Sequence, residues 1–178
     1  MPRFARPAIF FLFALGATTL VVADDWPAWR GPATNGHTRE SNLPVKWDAN
    51  SVLWKTELPG IGQSSPVLVG ERIFLTAYIE KGKKRILVCV DRNKGKVVWQ
   101  KEVWSGEPEK SHAMNGWASA TCATDGERVY AFFGKGGLHC YTADGSKVWS
   151  RDLGDFPGVW GGGGCAWCWR MARSRERE

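Results

Sequence analysis

The sequence has no stretch with a sustained helical period, and that absence excludes an α-helical or alternating α/β architecture. It has only three histidines, and a lone loop histidine such as His112, without an assigned base, nucleophile or metal partner, is not a catalytic set. No two cysteines are adjacent. The one Cys-x-x-Cys, at Cys165 and Cys168, has no second pair and no nearby histidine, which excludes four-ligand zinc spacing. A basic stripe interleaved with aromatics is also missing. Of the net charge of +6, Arg3 and Arg6 account for two and the tail after Gly161 for two more, which leaves +2 for the body. Nucleic-acid binding therefore has no electrostatic support.

Long hydrophobic runs are scarce as well. Arg3 and Arg6 precede an apolar run from Ala8 to Val22, followed by the small-residue site Val21-Val22-Ala23. At about 15 residues the run falls short of the roughly 20 needed to cross a bilayer. It reads as a secretory signal peptide over residues 1–23, cut between Ala23 and Asp24, in preference to an uncleaved anchor. No stable membrane span is expected after cleavage. No cysteine lies near the junction, so lipid attachment there is not expected. The destination is periplasmic or extracellular.

What the chain does have is short apolar runs rich in β-branched and aromatic residues, separated by turn signals. Residues 118–154 contain three of them, 128–133, 137–141 and 147–151, punctuated by Asp125-Gly126, Gly134-Lys-Gly-Gly137 and Asp144-Gly145. The Gly134–Gly137 run lacks a following helix, so it reads as a hairpin turn and not as a phosphate loop. An earlier block repeats the order: strands at 65–69, 72–78, 85–90 and 96–103, with a charged hairpin at 80–84 and a polar connector at 107–116. Residues 52–58 also alternate in the strand manner. Glu71-Arg-Ile-Phe matches Glu127-Arg-Val-Tyr, and Leu87-Val-Cys matches Leu138-His-Cys. Trp54, Trp99 and Trp149 recur at steps of 45 and 50. A period of that length with four strands per unit predicts an all-β chain, a partial β-propeller of four-stranded antiparallel blades.

The spacing Cys89-Val-Asp91-x-x-x-Gly95-x-x-x-Trp99 resembles the tryptophan-docking motif of the pyrrolo-quinoline-quinone (PQQ)-like β-propeller repeat family. Cys89 replaces the usual alanine and Lys94 the usual threonine. Asp91 is expected to cap the turn, Gly95 to supply positive φ, and Trp99 to fill the gap between blades. In the second copy, with Gly145 and Trp149, Thr142 stands where aspartate is expected and Asp144 is expected to take over the capping. The opening WPAWRGP and the stretch ATDGERVYAFFGKGGLHCY look like exported bacterial members of the outer-membrane assembly-factor type. The resemblance covers residues 25–161.

Family propellers close with about eight blades, whereas residues 24–161 hold two blades and a fragment. Residues 162–178 read as an aberrant, disordered tail, the product of a shifted reading frame, in which Cys165 and Cys168 carry no chemistry. The repeat, the leader and the lack of a visible site favour an exported, non-enzymatic scaffold that binds protein partners, as in the outer-membrane assembly relatives; no metal, nucleic acid or cofactor is expected. The other reading is a fragment of a PQQ-dependent dehydrogenase whose site lies in blades not present here. No catalytic residue is assigned. His112, in the connector with Asn115 and Trp117, reads first as a loop histidine held by hydrogen bonds; His37 and His139 have weaker claims. Trp26 and Trp29 are expected to pack, with Arg30 on a ring or on carbonyls. Cys89, Cys122 and Cys140 read as small buried hydrophobes.

Overall fold

The computed structural model describes residues 24–155 apart from 42 and 113. The leader, residues 1–23, and the tail with Cys165 and Cys168 lie outside the described residues. Two antiparallel four-stranded sheets make up the fold. The first runs β1 (Val67–Val69), β2 (Arg72–Ile79), β3 (Lys84–Asp91), β4 (Val97–Ser105). The second runs β5 (Ala123–Thr124), β6 (Arg128–Phe132), β7 (Leu138–Thr142), β8 (Lys147–Arg151). Each strand pairs with its neighbour in sequence, the meander of a propeller blade.

Period-two alternation decides what each face of the first sheet meets. Val67, Phe74, Leu87 and Cys89 point at the second sheet and join Cys122, Val129, Ala131 and Tyr141 in one buried cluster. Ile73, Leu75, Ala77, Ile86, Val88 and Val90 point the other way and pack with Trp54. Thr76 also faces the second blade, where its hydroxyl donates to the carbonyls of Ala118 and Ala120 at 3.3 and 3.0 Å. The blades therefore share one core.

Residues 52–58, expected as a strand, are not one. The segment alternates as a strand should, but no described segment lies beside it to form a ladder. Its indole donates across to the turn of the first blade, Trp54 Nε1 to Arg92 O at 2.8 Å. The hairpin at 80–84 is built on a 3-10 turn, Glu80–Gly82, with Glu80 and Lys81 in the left-handed region at φ 52° and 54°. The Gly134–Gly136 turn joins β6 to β7.

The opening segment closes the inner edge of both sheets. Trp26 and Leu68 exchange backbone hydrogen bonds at 2.9 and 3.0 Å, and Thr124 N–H donates to Pro27 O at 2.9 Å. Strand edges left open invite unwanted pairing, and this strap covers two of them. The Trp26 ring lies against Gly31. Trp29, expected to pack, is 49% exposed, with the Arg30 guanidinium 5.0 Å above its ring. Proline at position 27 fixes the chain direction, and Trp29 falls on its solvent side.

Candidate joints and rim between the blades

The tryptophans that mark the repeat sit at the joints. Asp91 Oδ1 accepts from the backbone N–H groups of Asn93 and Lys94 at 3.0 and 2.8 Å. The Lys94 amide bond is the main reason its carboxyl is held below the usual range. The closed turn brings Gly95 to φ 63°, where a Cβ would enter the Trp54 ring. In the second blade Thr142 and Asp144 share this task. Ser146 N–H donates to Thr142 Oγ1 at 3.0 Å and to Asp144 Oδ1 at 3.1 Å, and the Thr142 hydroxyl donates to Asp144. Gly145 sits at φ 91°, and its absent Cβ would lie 3.0 Å from the Trp99 ring. Trp99 Nε1 donates to Ala143 O at 3.1 Å.

Trp54 on the first blade and Trp99 on the second therefore make the same joint. Each stacks on a turn glycine and donates to the carbonyl of the turn's opening segment. A bulge lies beside Trp99 and beside its counterpart Trp149. Cys89 pairs with Trp99 and the next residue, Val90, with Val97; Cys140 pairs with Trp149 and Tyr141 with Lys147. The extra residue, Val98 or Val148, twists the strand beside the tryptophan. Trp149 lies 6.1 Å from the Tyr130 ring. Among the described residues it has no carbonyl acceptor of its own.

The opposite ends of the sheets form a rim that sequence reasoning missed. Arg85 is fully buried, with its guanidinium 4.9 Å from the Trp104 ring and 5.7 Å from the Trp117 ring. Its Nη2 meets Glu109 Oε2 at 2.6 Å and its Nη1 donates to Gly82 O. Burial pushes the guanidinium pKa down while Glu109 pushes it up. Trp117 Nε1 donates to Glu109 O at 2.7 Å, and Lys135 Nζ reaches Glu107 O at 3.3 Å. The connector from β4 to β5 is thereby clamped to both hairpins. Arginine opening an apolar strand, with Trp104, Glu109 and Trp117 following, was the available signal.

His139 is buried, with Nε2 2.7 Å from Gly136 O and Nδ1 without a partner. Burial holds its pKa below the ordinary range. His112 is exposed, and its Nδ1 accepts from Met114 N–H at 3.2 Å. His37 lines a cavity of about 450 Å³ with Asp25, Trp26 and Arg39. Cys89, Cys122 and Cys140 are buried, as expected of small hydrophobes. A second cavity, about 440 Å³, opens at the rim between Ile61, Tyr78, Lys81 and Trp117. Among the described residues no three His, Cys, Asp or Glu side chains converge to hold a metal ion, and no helix is long and apolar enough to cross a membrane.

The family model described as outer membrane protein assembly factor BamB matches residues 14–159. Among solved structures, BamB from Moraxella catarrhalis is 23% identical over 58% of this chain and 28% of that one, at a TM-score of 0.45. Quinohemoprotein alcohol dehydrogenase from Comamonas testosteroni is 19% identical over 72% of this chain and 19% of that one, at a TM-score of 0.51. The chain thus spans 28% and 19% of these two proteins. No curated protein matches in sequence. The docked blades, the repeated tryptophan joints and the match over residues 14–159 place this chain in the BamB-like family of PQQ-type β-propeller repeat proteins.

Proposed function

We propose that this chain is an exported, non-enzymatic propeller module that binds protein partners at its rim. The observation that carries the reading is the aromatic-walled cavity of Tyr78 and Trp117, with Ile61 at its mouth 60% exposed. Trp117 is fixed there by the Arg85–Glu109 clamp, its Nε1 donating to Glu109 O. Large, rigid, half-exposed aromatics on a fixed frame are what protein interfaces use as anchors. Lys81 stands at the lip on a left-handed backbone, a conformation that persists only when its surroundings enforce it. Export is supported by the basic, apolar and small-residue pattern of residues 1–23 and by the family to which the chain belongs.

A photo-crosslinker placed at Ile61 should join the chain to a protein partner in the cell envelope, and Lys81→Glu should weaken that adduct. The same probe at Asn93, on the opposite face, should give none. Equal labelling from both positions would overturn the rim assignment. The quinone-dependent alternative is separable. The described carboxylates Asp91, Asp125 and Asp144 accept from turn amides, and no three described His, Cys, Asp or Glu side chains converge as a metal site would need. Titration with PQQ and calcium should leave the Trp fluorescence of the chain unchanged.

A further inference from the structure

The sheets take hold of the chain within three residues of the leader junction read from the sequence. Asp24 N–H donates to Glu40 Oε1 at 2.6 Å. Asp25 Oδ1 accepts from Gly70 N–H at 2.7 Å. Trp26 then exchanges both backbone hydrogen bonds with Leu68. Glu40 is set in place by its own N–H, which donates to Thr38 Oγ1 at 3.0 Å. Asp24 itself is exposed. A cut after Asp25 would remove the bond to Gly70, and a cut after Trp26 would uncover the edge of β1. A cut before Asp24 removes none of these bonds.

We infer that hydrolysis of the Ala23–Asp24 bond leaves Asp24 as the N-terminus, and that Glu40 is the receptor for its α-ammonium. The inference rests on the export reading above. An endopeptidase that prefers small residues before the cut adds water across the bond. Ala23 keeps the carboxylate, and Asp24 keeps the amine, which takes a proton at neutral pH. A single neutral N–H facing Glu40 becomes a cation with three donors, and the hydrogen bond becomes charge-assisted. Asp24, Asp25, His37 and Arg39 line a recess at this end of the chain, next in sequence to Glu40, so the amine meets a mixed field. The cut therefore strengthens the fixing of the strap that seals the two inner strands.

The test is to express the full chain with its leader in a Gram-negative host and measure the intact mass of the periplasmic protein. A mass beginning at Asp24 is expected. At pH 7 the free α-amine should react with an N-hydroxysuccinimide ester about two- to fivefold faster in Glu40→Gln than in the parent, since an exposed ion pair raises the amine pKa by a fraction of a unit. A periplasmic protein starting elsewhere, or carrying its leader, overturns the cleavage. Correct cleavage with equal labelling rates overturns the role of Glu40. A chain found only in the cytosol with Met1 intact sinks the export reading itself.

Discussion

At the scale of single residues, turn glycines of similar φ carry different loads. Gly70 has φ 52° with nothing within 4 Å of the place a Cβ would take, whereas the Cβ of an alanine at position 95 would strike the Trp54 ring. Gly70→Ala should cost only the left-handed backbone term, about 1–2 kcal/mol. Gly95→Ala should cost clearly more, because the joint must open as well. Chemical denaturation of both variants compares them, and equal losses would show that the ring stack contributes nothing. Burial also pushes the Cys89 thiol up to about 11, so it stays protonated at neutral pH. Mass spectrometry after alkylation at pH 8 should find Cys89 unmodified in the folded chain and modified once denaturant is added.

Among elements, the β6–β7 hairpin is the one that senses acid. His139 is buried as the neutral ring, with its Nε2 proton on the Gly136 carbonyl and Nδ1 facing no acceptor. In the unfolded chain the imidazole takes up a proton near pH 6.5, while burial delays that uptake in the fold. Between those two points the unfolded chain binds more protons, so stability falls as pH drops below about 6.5. His139→Gln keeps a donor for Gly136 and should flatten the loss between about pH 6.5 and 5. Thermal melts across that range decide it, and an unchanged slope would remove His139 as the cause. Asp48, Asp91 and Asp144, all held below the usual carboxylate range, add their own loss only at lower pH, as they protonate.

The strands were legible because their period and their turns agree, and β8 runs from Lys147 to Arg151 as its sequence predicts. Residues 52–58 carry the same local pattern, yet a strand is a property of two partners, and one sequence window shows only half of that. The rim was hidden for a related reason. Arg85, Trp104, Glu109 and Trp117 are scattered over 33 positions and meet only when the hairpin and the connector converge. His112 stood out as a polar residue in a loop, whereas the histidine that is buried sat inside an apolar strand.

For the whole molecule, the shared core makes the blades one cooperative unit. Phe74 and Leu87 of one sheet lie in the same cluster as Val129 and Tyr141 of the other, with Trp99 packed against it. Trp99→Phe keeps most of that area and removes the bond to Ala143, so it should cost about 1 kcal/mol. Trp99→Ala should cost about 3 kcal/mol or more. Both variants should still melt in a single transition, with amide exchange accelerating equally in β3 and β7. Loss of protection in β7 alone would mean that the blades unfold independently.

The repeated joint also bears on how such a chain gains or loses length. Trp54 and Trp99 reach the same two backbone features in successive blades although the surrounding side chains differ, Arg92 in one turn and Ala143 in the other. The recognition is written in main-chain atoms and one missing Cβ, so it does not depend on which copy supplies the ring. A gene duplication that adds one such unit arrives with its coupling to both neighbours already encoded, and a drifting copy stays attached as long as its glycine and its tryptophan survive.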